Sequence, residues 1–330
     1  MISSGSSIVA GASISRTDAT PLANARQLTR TGKKKLIYAS AAAAAIWAAC
    51  LFCYAWLVEP TRLVATRADV EIPGGNALDG LKIAMIGDIH GGSNAVDAEM
   101  LRRVTALANA EQPDLIVLLG DYVSETRAVG ADGRRILRMP MSEIADGLAG
   151  LRAPLGVFAA LGNHDGVYGS DAVAAELRRV GIRVLVNETV QLDNDGKPFR
   201  ILGFADHLSL PQNWKRVSDL GRGLAQQGNG PIIVLEHSPD ILPMLTGELA
   251  MSSDLKLILA AHTHGGQVWM PLVGTPIVPS SYGQKYSYGH IREAGIDMYI
   301  TSGVGTSILP IRFMMPPEVA VIKLVCGSDQ

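Results

Sequence analysis

The sequence predicts an α/β domain of two packed mixed β-sheets flanked by helices, preceded by one transmembrane helix. Three observations carry that reading. Short apolar runs alternate with helix-spaced segments from Leu81 to Val186, the pattern of parallel strands joined by helical crossovers. Strand-like runs then cluster late in the chain, which requires a second sheet rather than one open sheet. Ahead of both lies an uncharged apolar stretch, Leu36–Val58.

At 1.5 Å per residue, Leu36–Val58 is long enough to cross a hydrocarbon core of roughly 30 Å. Tyr38 and Trp56 lie near its ends, where interfacial aromatics sit. A cleaved signal peptide is the competing reading. Its apolar core would span roughly 7–15 residues behind a brief leader. Here residues 1–35 come first, and no small-x-small site follows Val58, so the segment reads as an uncleaved anchor. Arg26, Arg30, Lys33, Lys34 and Lys35 precede it, against Arg62 and Arg67 after it. That bias places the amino end in the cytoplasm and the main domain on the extracytoplasmic side of the plasma (inner) membrane, as a single-pass protein. Residues 1–35 are expected to be a disordered basic segment and 59–80 a linker, with Pro60, Pro73, Gly74 and Gly75. Residues 81–330 then form the main domain, large enough to bury a core without disulfides. Only three cysteines exist, Cys50 and Cys53 in the apolar stretch and Cys326 alone, so an intradomain disulfide and a thiolate zinc site are excluded. The net charge of -2 offers no nucleic-acid-binding surface.

Within the main domain, Leu81–Ile86 is a short buried strand that ends at Gly87-Asp88-Ile89-His90. Val96, Met100, Val104, Leu107 and Ala108 share one helical face and predict a helix over Val96–Ala110. Beyond Pro113, Asp114–Leu119 is the next strand and ends at Gly120-Asp121. Such a unit implies a parallel pair with a right-handed crossover, and parallel sheets place ligands at the carboxyl ends of their strands. Ser142–Leu151 predicts a short helix, Gly156–Leu161 a strand ending at Gly162-Asn163-His164-Asp165, and Ser170–Val180 another helix. Strands follow at Arg183–Val186, Thr189–Leu192 and Phe199–Phe204, with Asn194-Asp195-Gly196 marking a turn. Helix returns over Trp214–Ala225. Ile232–Leu235 leads into Glu236-His237, and Leu255–Ala260 into Ala261-His262-Thr263-His264-Gly265-Gly266. Asp297–Ile300, Thr306–Phe313 and Val319–Leu324 read as the closing strands.

Five strand ends thus carry ligand-type residues: Asp88 with His90, Asp121, Asn163 with His164, His237, and His262 with His264. Of the 7 histidines only His207 and His290 lie elsewhere. Capping or turn formation explains any one of these residues but not the set. Imidazole is the commonest metal ligand, and residues i and i+2 of an extended chain face the same side, so His262 and His264 can face one site. Glu236 reads as a strand-end surface residue, Asp206-His207 as a turn or a support for the site, and Tyr282, Tyr286 and Tyr288 as packing.

The ordered set Gly-Asp-x-His, Gly-Asp, Gly-Asn-His-Asp, a lone His after a strand, and His-Thr-His resembles the calcineurin-like metallophosphoesterase superfamily, over roughly Leu81–Leu324. The tail Gly303–Phe313 with Pro317-Glu318 resembles its membrane-linked bacterial branch, called YkuE- or YaeI-like. One departure is Ala261, where the family usually has Gly before the first His of the pair. The resemblance implies a four-layer sandwich, two divalent metal ions (Mn, Fe or Zn) and a phosphate-ester substrate. Position by position, it implies Asp88, His90 and His264 on one ion, Asn163, His237 and His262 on the other, and Asp121 on both. It further implies attack by a metal-bridging hydroxide, with His164 at the leaving group and Asp165 either orienting His164 or capping its loop. The expected substrate is a phosphodiester, pyrophosphate or phosphomonoester, and the anchor, which keeps the site near the bilayer, points to an envelope lipid or lipid precursor. Soluble nucleotides and other small phosphate esters are the nearest rival. A non-catalytic binding platform would predict lost ligands, and none of the seven is missing. The His-Glu-x-x-His helix of zinc amide hydrolysis is absent.

Overall fold

The computed structural model describes residues 21–209 and 214–326. The chain divides into two units, Met1–Phe52 and Cys53–Gln330. In the first, helix α1 (Pro21–Cys53) begins well before the apolar stretch. Residues 21–35 are therefore helical, which corrects the expectation of disorder over 1–35; residues 1–20 lie outside the described part. The reason is local. Leu22, Ala23, Ala25, Arg26, Gln27 and Leu28 are good helix formers, and extending an existing helix is cheap once it is nucleated. A helical stretch over Thr31–Thr61 is long and apolar enough to cross a membrane, and none of its apolar window is buried in protein.

In the second unit the helical path closes with a π-type turn, Tyr54–Val58, and a 3-10 turn, Glu59–Thr61. Strand β1 (Val64–Glu71) follows, where a linker was expected. It pairs in parallel with β14 (Glu318–Val325), from the far end of the domain. Such a partner cannot be read locally, and β1 alternates half-buried with polar residues, so it gives no apolar run.

Between them come β2 (Lys82–Ile86), α2 (Ala98–Ala110), β3 (Leu115–Leu119), the hairpin β4 (Glu125–Val129) and β5 (Arg135–Leu137), α3 (Met141–Leu148), β6 (Val157–Ala160), α4 (Asn163–Tyr168), α5 (Ser170–Arg179) and β7 (Arg183–Val184). Then follow β8 (Glu188–Asn194), β9 (Lys197–Gly203), α6 (Trp214–Ala225), β10 (Ile232–Leu235), β11 (Leu255–Ala260), β12 (Gly289–Glu293) and β13 (Ile296–Ile300). The first sheet has the order β1-β14-β2-β3-β6-β7 and the second β12-β13-β11-β10-β9-β8. Both are mixed: β14 runs antiparallel to β2, β8 to β9 and β12 to β13, while the central pairs are parallel.

The period of two along each strand sorts side chains between layers. Ile83 and Met85 of β2, with Val117 and Leu119 of β3, face Ile201, Ile233, Leu235, Leu257 and Leu259 of the second sheet, and this is the core between the sheets. Ala84, Ile86, Ile116 and Leu118 face the other way, against Leu101 and Val104 of α2, Ile144 of α3 and Leu177 of α5. On the far side of the second sheet, Leu202, Val234 and Ile258 pack with Val217 and Leu224 of α6. Each fully buried Leu or Ile contributes about 1.5–3 kcal/mol. The result is helix, sheet, sheet, helix.

The expected strand over Thr306–Phe313 is a loop with one parallel bridge, Val268 to Phe313. The buried Arg312 organises it by donating to the carbonyls of Gly305 (Nε, 3.0 Å), Met315 (Nη1, 3.1 Å) and Ser302 (Nη2, 2.8 Å), so those groups do not enter a ladder.

Candidate metal centre

The carboxyl ends of five strands meet at one place. β2 delivers Asp88 and His90, β3 Asp121 and β6 Asn163 with His164; from the second sheet, β10 delivers His237 and β11 His262 with His264. Asp88, His90, Asp121, His262 and His264 all have left-handed backbones, with φ of 48°, 45°, 57°, 69° and 52°. Each such conformation costs on the order of 1 kcal/mol or more and persists only where its surroundings over-determine it. Here the loops are laced together. Asp88 N–H donates to Gly120 O (3.0 Å), His90 N–H to Asp121 O (2.9 Å) and Ala261 N–H to His237 O (2.9 Å). Gly87 accommodates the family departure at Ala261: a Cβ on Gly87 would lie 2.6 Å from the Ala261 methyl, so the small residue is needed on β2 rather than on β11.

The side chains fall into two linked groups. Asp88, His90 and His264 bring ligand atoms together, and so do Asp121, His237 and His262. His90 Nε2 lies 3.2 Å from His264 Nε2, and His262 Nδ1 lies 3.1 Å from His237 Nε2. Asp121 stands between the groups, with Oδ2 at 3.3 Å from His237 Nε2 and 3.6 Å from His90 Nε2. The opposite ring nitrogens are anchored: His237 Nδ1 meets Leu119 O at 2.7 Å and His90 Nδ1 meets Val123 O at 3.2 Å. Such carbonyl contacts fix ring orientation and turn Nε2 inward.

Electrostatics give the same picture. Burial pushes His90 down to about 4 and His262 down to about 3, and it holds His264 well below the usual range. These rings are neutral near pH 7 and keep lone pairs for a cation. Burial also pushes Asp88 up to about 7. For His237, burial lowers the pKa, but the Asp121 carboxylate overrides it and raises the ring well above its ordinary value.

The residues present fit metal ions. Asp88 Oδ2, Asn163 Oδ1 and His264 Nδ1 are buried without a hydrogen-bond partner among the described residues. Two neutral imidazoles in close nitrogen–nitrogen contact need a shared proton or a cation. The donor set is imidazole, carboxylate and amide without thiolate, which suits Mn, Fe or Zn.

His164 is placed differently. Its N–H donates to Asp121 Oδ1 (2.9 Å), and its Nδ1 sits 2.9 Å from both carboxylate oxygens of Glu125 on β4. Burial lowers its pKa, but the Glu125 and Asp121 carboxylates together raise it to about 9. Sequence reasoning missed Glu125, whose only signal is an acid four residues beyond Asp121. Of the two readings of Asp165, orienting His164 or capping its loop, its contacts follow the second. Its carboxylate accepts from the backbone N–H groups of Asp121 (2.8 Å), Tyr122 (2.9 Å) and Gly162 (2.9 Å) and clamps the loops after β3 and β6. Asp165→Ala should therefore cost about 3 kcal/mol by stranding buried donors. Urea unfolding would show a lower midpoint at unchanged slope; a wild-type midpoint would remove the clamp.

Other candidates resolve plainly. Glu236 is fully buried, not a surface residue, and its Oε1 meets Nδ1 of the buried His207 at 2.8 Å. Tyr288 O–H donates to Glu318 (2.9 Å) and Tyr286 O–H to Glu293 (2.7 Å), so both serve packing. His290 lies on β12 beside Asp297, at 2.8 Å. Two cavities flank the centre. One of about 550 Å³ is lined by Glu125, His164, Arg127, Arg135 and Arg138. The other, about 630 Å³, is lined by Asp121, Asn163, His262, His264 and apolar loop residues.

A two-sheet α/β fold with paired histidine–aspartate clusters at its strand ends defines a metal-dependent phosphoric ester hydrolase. The chain belongs to the calcineurin-like phosphoesterase family, whose model matches residues 81–266. It is 30% identical over 306 residues to "Uncharacterized metallophosphoesterase YkuE" of Bacillus subtilis, covering 91% of this chain and 98% of that protein. It is 30% identical over 247 residues to "Phosphodiesterase YaeI" of Escherichia coli, covering 74% and 82%. Among solved structures it is similar to the Haemophilus influenzae NAD nucleotidase, with a TM-score of 0.45 and 14% identity over 68% of this chain and 45% of that one.

Proposed function

We propose that the protein is a membrane-anchored, dinuclear-metal phosphoesterase acting on a phosphodiester. Asp88, His90 and His264 would hold one divalent ion, Asn163, His237 and His262 the other, with Asp121 shared. The carrying observation is the position of Asp121 Oδ2 between Nε2 atoms of both groups. When bound, the two ions supply a water of lowered pKa and positive charge for the phosphoryl oxygens.

The chain's own residues do the rest. The Asp121 carboxylate lowers the repulsion between two cations, and its Oδ1 fixes the backbone that carries His164. Glu125 grips His164 Nδ1, which leaves Nε2 free to hold a proton for the departing oxygen. Arg127, Arg135 and Arg138 line the cavity on the His164 side and suit a leaving group that carries further negative charge. The apolar helix over Thr31–Thr61 serves as the uncleaved anchor, with the domain outside the cytoplasm.

The test is hydrolysis of bis(p-nitrophenyl) phosphate by purified protein, stripped with chelator and then reloaded with Mn, Fe or Zn in turn. We expect loss on stripping and recovery with at least one ion, at about two ions per chain. Full activity after stripping would overturn the reading. Parallel assays of soluble nucleotides and lipid-linked phosphates separate the substrate classes.

A further inference from the structure

We propose that the loops Trp269–Ile277 and Ser307–Met314 form an apolar lip seated in the bilayer interface, so that the metal centre takes its phosphate ester from a lipid of that leaflet. This rests on the anchored-phosphoesterase reading and adds the source and class of the substrate.

The first observation is exposure. Leu272 is 107% and Ile308 87% exposed, and Val273, Ile277, Leu309 and Met314 are exposed around them. Isolated exposed apolar residues are ordinary; a cluster on adjoining loop tips marks a protein or membrane contact. The two loops form one structure. Trp269 N–H donates to Phe313 O (2.9 Å), and buried Gln267 donates through Nε2 to Leu309 O (2.8 Å) and Ile311 O (2.9 Å).

The second observation names the occupant. The lip is fastened to the last turns of the apolar helical stretch. Arg312 N–H donates to Ala55 O at 2.9 Å. Asn94 Nδ2 donates to both Trp56 O and Pro310 O at 2.7 Å, and the Tyr54 and Phe313 rings meet edge to face at 6.4 Å. Where the chain leaves the hydrocarbon, it is bonded directly to the loop that carries Ile308 and Leu309. A bilayer is therefore the surface that these side chains meet.

The third observation is the route inward. The cavity of about 630 Å³ runs from Asn163, His262 and His264 to Val268, Pro276, Ile277, Ile308 and Leu309. A phosphate at the ligands would leave an attached hydrocarbon chain against an apolar wall continuous with the lip. The substrate class is an amphiphilic phosphate ester with at least one alkyl or acyl chain.

The experiment uses full-length protein in vesicles of phosphatidylethanolamine and phosphatidylglycerol. Cys50, Cys53 and Cys326 are replaced by serine, and a nitroxide is attached to Leu272→Cys or, as a control, Asp195→Cys in the turn after β8. We expect the Leu272→Cys label to collide with oxygen at least about tenfold more, relative to a water-soluble nickel complex, than the Asp195→Cys label. Equal ratios would overturn the lip. Alkylphosphonates below their micellar concentration would then compete with bis(p-nitrophenyl) phosphate on detergent-solubilised protein. Inhibition that strengthens at least about tenfold from ethyl to octyl supports the substrate class, and no dependence on chain length overturns it. Failure of the wild type to hydrolyse the soluble ester with any metal would count against the phosphoesterase reading alone, because the label reports depth without turnover.

Discussion

Asp121→Ala should lose both bound metal and hydrolysis. Asp121 Oδ2 lies within reach of both imidazole groups, at 3.3 and 3.6 Å. Without it, two cations would sit between neutral rings with no shared negative charge. We expect metal content measured by atomic emission to fall from about two ions per chain to less than one. The rate should fall by at least about a thousandfold, or about 4 kcal/mol of barrier. Because Oδ1 also holds the His164 N–H, Asp121→Asn is the companion variant. It keeps an oxygen for that bond while removing the charge, so a wild-type melting temperature with lost metal separates ligation from folding. Retention of both metal and rate in Asp121→Ala would sink the shared-ligand arrangement.

His164→Ala should keep its metal and still lose about 10²- to 10⁴-fold in rate, the range for a positioned proton donor. The loss should depend on the leaving group. p-Nitrophenolate departs with little help, whereas an alkoxide needs the proton, so alkyl esters should suffer far more than nitrophenyl esters. Glu125→Gln should reproduce that dependence more weakly, by about tenfold, since it leaves the ring in place and removes the charge that holds it protonated. An equal loss for both ester types would remove His164 from proton transfer and leave it a structural part of the loop.

The central strands were legible because buried parallel strands are continuous apolar runs. Trp214–Ala225, Ile232–Leu235 and Leu255–Ala260 stand where periodicity places them. The convergence of Asp88, His90, Asp121, His237, His262 and His264 was legible for a related reason: an abrupt change from apolar run to ligand-type residue marks a strand's carboxyl end. What stayed hidden depends on distant partners. Strand β1 carries Thr66, Arg67 and Asp69 and becomes a strand only beside β14. The β4–β5 hairpin is short, mostly exposed and irregular in register, so neither it nor the approach of Glu125 to His164 could be foreseen. Glu236 was misread as a surface residue because the side chain that buries with it, His207, lies in a separate loop. Asp165 left two readings open, orienting His164 or capping its loop, because its partners are backbone groups, which carry no residue signature.

The order of the first sheet has a consequence for biogenesis. Strand β14 is inserted between β1 and β2 rather than added at an edge. A chain emerging amino end first can pair β2 with β3 early, but β1 has no neighbour in the sheet until Glu318–Val325 has arrived. Sequential synthesis ordinarily lets early segments fold while later ones are made. Here the edge strand β1, the first after the apolar helix, joins the sheet only when the last strand docks between it and β2.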